Sequence, residues 1–218
     1  MFYAIDRKRF TETVLLGIAQ PKSLPWGNTN SPGYEASKAN FFSFDLDKAK
    51  SLLKDASVSN LEMDLDIINF EPEMSDFALI YQADLATIGV KLNVSNLQVA
   101  VWNDMVLNRK YVGAYATAGT YSQMEPITQF TNSGAFNPNS NNEGFKSDAY
   151  SALVTSAASE PDFAKRKQLY SQLNDFLLDE AFVSPMSAAP TRWVARANVH
   201  DIGFTLHEAC VWTNAWVD

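Results

Sequence analysis

Residues Leu61–Phe70, "LEMDLDIINF", alternate strictly: Leu61, Met63, Leu65 and Ile67 share one face, and Glu62, Asp64 and Asp66 share the other. Successive side chains of a strand point to opposite faces, so the pattern predicts a strand with one buried face and one exposed acidic face. The next stretch, "EMSDFALIYQADLATIG" (Glu73–Gly89), repeats Phe77, Ile80, Tyr81, Leu85 and Ile88 at helical spacing and stops at Gly89. "VKLNVSNL" (Val90–Leu97) alternates again. A strand, a crossover of about twenty residues and a second strand make a β-α-β unit, with parallel strands and a right-handed connection. "YVGAYATAG" (Tyr111–Gly119) supplies a third strand whose small residues imply close approach by another part of the chain. The expected fold is α/β: one unit over residues 1–218, with Leu61–Phe70, Val90–Leu97 and Tyr111–Ala118 in a common sheet flanked by helices.

Helices extend in both directions from this unit. "DLDKAKSLLKDA" starts at Asp45, an N-cap residue, and "SDAYSALVTSAAS" starts at the cap Ser147. "VWNDMVLNRK" is a short helix, and Pro126 opens another through Phe130. "EPDFAKRKQLYSQLNDFLLDEA" is read as beginning at Glu160 with Pro161 in its first position, its stripe being Phe163, Leu169, Leu173, Phe176 and Leu177. The opening "MFYAIDRKRF" places Phe2, Ile5 and Phe10, followed by Val14 and Leu15, near a 3.6-residue period. No capping residue precedes Phe2, so the chain is read as starting inside a helix, with "RKR" (Arg7–Arg9) on its solvated face. The last part, "FVSPMSAAPTRWVARANVHDIGFTLHEACVWTNAWVD", reads as short strands broken by Pro185 and Pro190.

The 218 residues are 46% hydrophobic with net charge −8, a globular composition large enough for a sizeable core. The negative balance argues against nucleic acid, which requires a basic stripe, and against an anionic membrane surface. No run approaches the ~18 apolar residues of a membrane span, and no signal peptide is recognised. Cys210 has only His200 and His207 as partners for a metal, short of the four ligands zinc takes, so neither a metal nor a cofactor is expected. Phosphate-loop, serine-elbow and zinc-helix motifs are missing, and the acidic pairs Asp45/Asp47 and Asp64/Asp66 read as a helix start and a solvated strand face. The chain is therefore read as no enzyme.

Two long polar segments carry aromatics: Gln20–Phe44, with Trp26 and Tyr34, and Thr120–Gly144, with Tyr121, Phe130 and Phe136. Aromatic walls with a few placed polar groups are what a binding site requires. The alternative is that each aromatic pins its own loop to the core.

The order of segments resembles the periplasmic solute-binding proteins of dipeptide, oligopeptide and nickel ABC transporters, the family 5 extracellular solute-binding proteins. "YAIDRKRFTETVLLGIAQP" is similar to that family's A-I-D-R helix, "FSFDLDKAKSLLKDA" to its Y-D-x-x-K-A-K-x-L-L helix, and "IYQADLATIGVKLNV" to its I-Q-x-x-L-x-x-I-G-I-x-V helix and strand. "FKSDAYSALVTSAASEPDFAKRKQLYSQLNDFLLDEAFVSPM" resembles its late helices and P-x-x-P segment. The resemblance covers nearly the whole chain and implies the C-terminal lobe of a periplasmic-binding-protein type II fold, truncated from a longer parent. It implies a small polar solute or peptide as ligand, held between two lobes, with a transporter permease and the missing N-terminal lobe as partners of a periplasmic or extracytoplasmic parent. Without that lobe, the aromatic tail Val211–Val217 and the first helix around Phe2 are expected to be exposed and to favour a homo-oligomer.

In peptide-binding members, a W-x-x-D-x-x-D-P loop supplies an aspartate for the peptide's amine. The matching stretch is "GTYSQMEP". Glu125 fits the second acid, but Ser122 stands at the amine-binding position and Gly119 at the tryptophan. This departure weighs against an amine-bearing peptide and favours a sugar, opine, glutathione-like or other polar ligand. The ligand-binding candidates are Trp26, Gly119, Tyr121, Ser122, Gln123 and Phe136.

Overall fold

The chain enters through three short helical pieces rather than one helix. In the computed structural model, which describes residues 1–119, 125–190, 193–205 and 209–218, a 3₁₀ turn, Phe2–Ala4, precedes α1, Arg7–Arg9, and a π-helical turn, Phe10–Val14. The missing cap lies inside the motif: the Asp6 side chain accepts from the Arg9 backbone N–H at 2.9 Å. An N-cap requires non-helical backbone, so the apolar period is interrupted where Asp6 sits. The basic run also differs from its reading as a solvated face. Arg7 is only 4% exposed. Its Nη1 donates to the carbonyls of Phe2 (3.1 Å) and Phe42 (3.0 Å), its Nε to Pro185 (3.0 Å), and its Nη2 to Ser184 Oγ (2.6 Å). Burial lowers its pKa to about 10, so the guanidinium stays charged at neutral pH. Arg9 pairs with Asp84, and only Lys8, with Glu12 at 3.8 Å, lies in solvent.

After β1, Gln20–Pro21, comes α2, Leu46–Asp55, capped as expected by Asp45, whose side chain accepts from Lys48 N at 2.8 Å. The alternating stretch forms β2, Glu62–Ile68; it leads through α3, Pro72–Thr87, to β3, Lys91–Leu97. Then come α4, Val99–Leu107, and β4, Ala114–Ala116. The three strands make one parallel sheet in the order β3-β2-β4, with Leu65 paired to Val94 and Ala114. Gly89 has φ +78°, the left-handed conformation that lets the chain leave α3 for β3. The close approach expected at β4 is to β2: a Cβ on Gly113 would lie 2.2 Å from the Asp64 carbonyl oxygen.

On one face of the sheet, Leu65, Ile67 and Leu92 pack with Phe77, Ala78, Tyr81 and Leu85 of α3 and with Ala4, Ile5 and Phe10. Each fully buried large side chain there contributes about 1.5–3 kcal/mol. The other face is not simply solvated. Ile68 packs there with Trp102 and Val106 of α4, and Asp66, read as exposed, is 6% exposed. Burial raises the pKa of Asp66; Ser95 hydrogen-bonds its side chain and the neighbouring Asp64 adds repulsion.

A second core is helical. It joins α5, Ile127–Asn132, α6, Asp148–Ser159, and α7, Phe163–Glu180. Ser147 caps α6 as expected, accepting from Tyr150 N at 3.2 Å. The start of α7 differs: Asp162, not Glu160, is the cap, accepting from Lys165 N at 2.9 Å. Pro161 therefore lies just outside the helix, and Phe163 is exposed. Phe2 and Tyr3 are partly buried against both cores, so Phe2 is not the free surface expected of it.

The chain closes with β5, Ser187–Ala188, antiparallel to β1, and two antiparallel pairs: β6, Val199–His200, with β9, Trp216–Val217, and β7, Gly203–Phe204, with β8, Cys210–Val211. In this tail Trp193 is 54%, Trp212 60% and Trp216 50% exposed.

Candidate functional site

The three parallel strands end side by side at Ile68, Leu97 and Ala116. Loops leaving the carboxyl ends of parallel strands are where open α/β sheets hold ligands. Two loops meet here. The β2–α3 turn is tied to β3 by Asn69 N, which donates to Leu97 O at 2.9 Å, and it displays Phe70, 78% exposed. Glu71 occupies the N-cap position of α3 but makes no side-chain cap bond. Its carboxylate reaches instead to the exit of β4, accepting from Ala118 N at 2.7 Å and Thr117 Oγ1 at 3.2 Å. Gly119, a candidate from the sequence, follows directly and is exposed. Tyr121, Ser122 and Gln123 lie outside the described residues.

On the far side of that segment, Glu125 is anchored to α7. The Tyr170 hydroxyl donates to Glu125 Oε1, and Arg166 Nε lies 3.4 Å from the same oxygen. Burial first, then the carboxylate, raises the Tyr170 pKa and keeps the phenol protonated as donor.

Trp26 and Phe136 are placed differently from Gly119. Trp26 is 4% and Phe136 1% exposed, and both pack on Phe130, at ring-centroid distances of 5.7 and 6.2 Å. The Trp26 indole N–H donates to Asn174 Oδ1 at 2.6 Å, and Asn174 Nδ2 donates to Gly33 O at 2.8 Å and Glu35 Oε1 at 2.7 Å. Gly33 is required where it stands, because a Cβ there would come within 2.8 Å of Pro126 Cγ and 2.9 Å of the Trp26 ring. The first long loop is thus pinned to α7 and lies against Pro126, and its aromatics act as packing beneath the second loop.

A further polar group joins the sheet to the segment before α6. Tyr115 donates to Glu143 Oε1 at 2.5 Å, Arg109 Nη2 to Asn141 O at 2.7 Å, and Tyr111 to Asn142 O at 2.9 Å. Burial raises the pKa of the Glu143 carboxyl, partly offset by the Tyr115 bond and by Arg109. Sequence reading missed Phe70, Glu71, Tyr170 and Glu143. The one local signal was Glu71 before Pro72, a residue type that makes a poor cap at a helix start. Among the described residues no group of three or more His, Cys, Asp or Glu is placed to hold a metal. Among them, too, no helix is long and apolar enough to cross a membrane.

This is the mixed α/β architecture of the periplasmic solute-binding proteins. The chain belongs to the bacterial extracellular solute-binding proteins of family 5: residues 1–141 match the model of that family's middle region. Solved structures agree on the fold. HbpA2 from Haemophilus parasuis superposes at TM-score 0.79 and 22% identity, over 100% of this chain and 44% of that one. NikA from Staphylococcus aureus, in complex with Ni(L-His)2, gives 0.79 at 16% identity, over 100% and 47%. A dipeptide-binding protein from Pseudoalteromonas sp. SM9913, in complex with Met-Leu, gives 0.80 at 19% identity, over 100% and 44%. No curated protein matches. The chain spans less than half the length of these three structures.

Proposed function

We propose that the chain is one α/β lobe, the C-terminal ligand-binding lobe of an extracytoplasmic receptor that captures a peptide-like or other small polar solute for import by an ABC transporter. The observation that carries this reading is the carboxyl edge of the β3-β2-β4 sheet, where Glu71 holds the exit of β4 in a chain of this family. Relatives bound to Ni(L-His)2 and to Met-Leu support a small polar ligand over a macromolecule. In this reading Gly119, Tyr121, Ser122 and Gln123 contribute to the solute site, with Trp26 and Phe136 supporting it from the core. The role is binding without catalysis, completed by an N-terminal lobe and a permease. A thermal-shift screen of dipeptides, opines, sugars and metal–histidine complexes tests it. A solute at a hundredfold excess over its Kd adds about 2.7 kcal/mol to stability. No shift with any of these classes, in this chain or in one rejoined to a first lobe, contradicts the reading.

A second reading is favoured by the tail. Trp193, Val194, Trp212, Trp216 and Val217 are all at least half exposed. Exposed apolar surface of this kind drives association. In this reading the isolated lobe binds no solute by itself and self-associates through the aromatic tail Val211–Val217. Light scattering separates the two: a strict monomer at high micromolar concentration contradicts self-association.

A further inference from the structure

The Proposed function leaves the solute's charge open, and Ser122 offers no charge to a ligand. A carboxylate on the carboxyl edge of the sheet, within the described residues, belongs to Glu71. Each of its oxygens accepts one hydrogen bond, from Thr117 and from Ala118. A carboxylate has about four lone-pair sites, so about two remain. Among the described residues no lysine, arginine or histidine forms an ion pair with it. Its position is fixed from two sides: its backbone opens α3, and its side chain is held by the backbone of Ala118. A charge held in place in advance loses little conformational freedom when a ligand pairs with it. Phe70, the adjacent residue, presents an exposed aromatic ring at the same edge. Rings attract cations through their faces and apolar groups by burial.

We infer that Glu71 is a selectivity-determining residue of this edge, holding the exit of β4 and favouring solutes that carry an ammonium or other cationic group beside an apolar part. The inference rests on the reading of the edge as a solute site.

The test uses the 218-residue chain, the dipeptide Met-Leu and its N-acetylated form, followed by amide NMR of Ala118 and Gly119. Met-Leu is expected to shift both amides and to bind about fivefold more tightly than the acetylated peptide, the size of a well-formed, partly exposed ion pair. Glu71→Gln keeps an oxygen to accept from Ala118 and removes the charge. It should bring Met-Leu down to the affinity of the acetylated peptide and leave the latter unchanged. If Met-Leu and its acetylated form bind the native chain equally, or Glu71→Gln weakens both alike or neither, the inference is overturned while the solute site stands. If neither peptide moves the edge amides but another solute does, the cationic preference is likewise overturned. If no solute does, the functional reading and the inference fall together.

Discussion

The helical core and the C-terminal tail are both rich in aromatics and use them in opposite ways. Phe130, Phe136, Tyr150 and Tyr170 are 0–1% exposed, and Phe130 meets Trp26, Phe136 and Tyr150 edge to face. Trp193, Trp212 and Trp216 are half exposed or more, and the ring partners of Trp193 and Trp216 are themselves in the tail: Trp193 stacks on Phe204 and His200 on Trp216. Aromatic content therefore does not distinguish the two regions. What differs is whether a second layer of structure is available. The core aromatics lie between α5, α6, α7 and the pinned first loop, whereas the described residues of the tail form two-stranded antiparallel pairs, too small to bury a face.

The contrast is sharpest in stability. Phe130→Ala is expected to cost about 3–5 kcal/mol, because it opens a cavity between Trp26, Phe136 and Tyr150. Trp212→Ala, at an exposed position, should stay within about 0.5 kcal/mol. Urea denaturation of both variants checks this, and a comparable loss in the two would erase the distinction between core and tail.

Arg7 gives the next effect. It fastens the N-terminal segment to Phe42 and to the residues after α7, so it connects the sheet core with the helical core. Arg7→Met keeps the apolar stem but leaves the Phe42 and Pro185 carbonyls without this donor. A loss of about 2–6 kcal/mol is expected at about 1–3 kcal/mol for each of the two stranded carbonyls. A neutral outcome would show that the two cores are held together by apolar contact alone.

The smallest effect concerns Glu143. Its carboxyl pKa is raised above the ordinary 4.5 by burial, so above that value the folded state holds more protons than the unfolded one. Its contribution is fully present below 4.5 and is lost as pH rises through the raised pKa. Glu143→Gln should flatten that part of the stability–pH profile, and the raised Asp66 retains the remainder with the same sign. An unchanged profile would place the Glu143 carboxyl in free solvent.

Which features were legible in the sequence follows from how far each residue's partner lies along the chain. The alternation of Leu61, Met63, Leu65 and Ile67, the caps Asp45 and Ser147 and the stop at Gly89 are local signals, and each has its expected place. Arg7 looked like solvated charge because its acceptors Phe42 and Pro185 lie 35 and 178 residues away. Asp66 looked exposed because strand alternation shows which residues share a face, not whether a helix such as α4 covers it. Asp162 displaced Glu160 as cap because Pro161 is compatible with a position just before a helix as well as inside one. At the candidate edge, resemblance draws attention to Gly119 but not to Glu71, whose partner Ala118 is 47 residues downstream. Trp26 and Phe136 have the composition of a binding wall, yet Asn174 and Phe130 engage them in the core.

The most direct test of the account is amide hydrogen exchange on the chain with and without the strongest solute from the thermal-shift screen. Binding at the carboxyl edge should slow exchange at residues 69–71 and 117–119 and leave residues 193–218 unchanged. Protection confined to the tail, with none at the edge, would contradict the assignment of the solute site to this sheet.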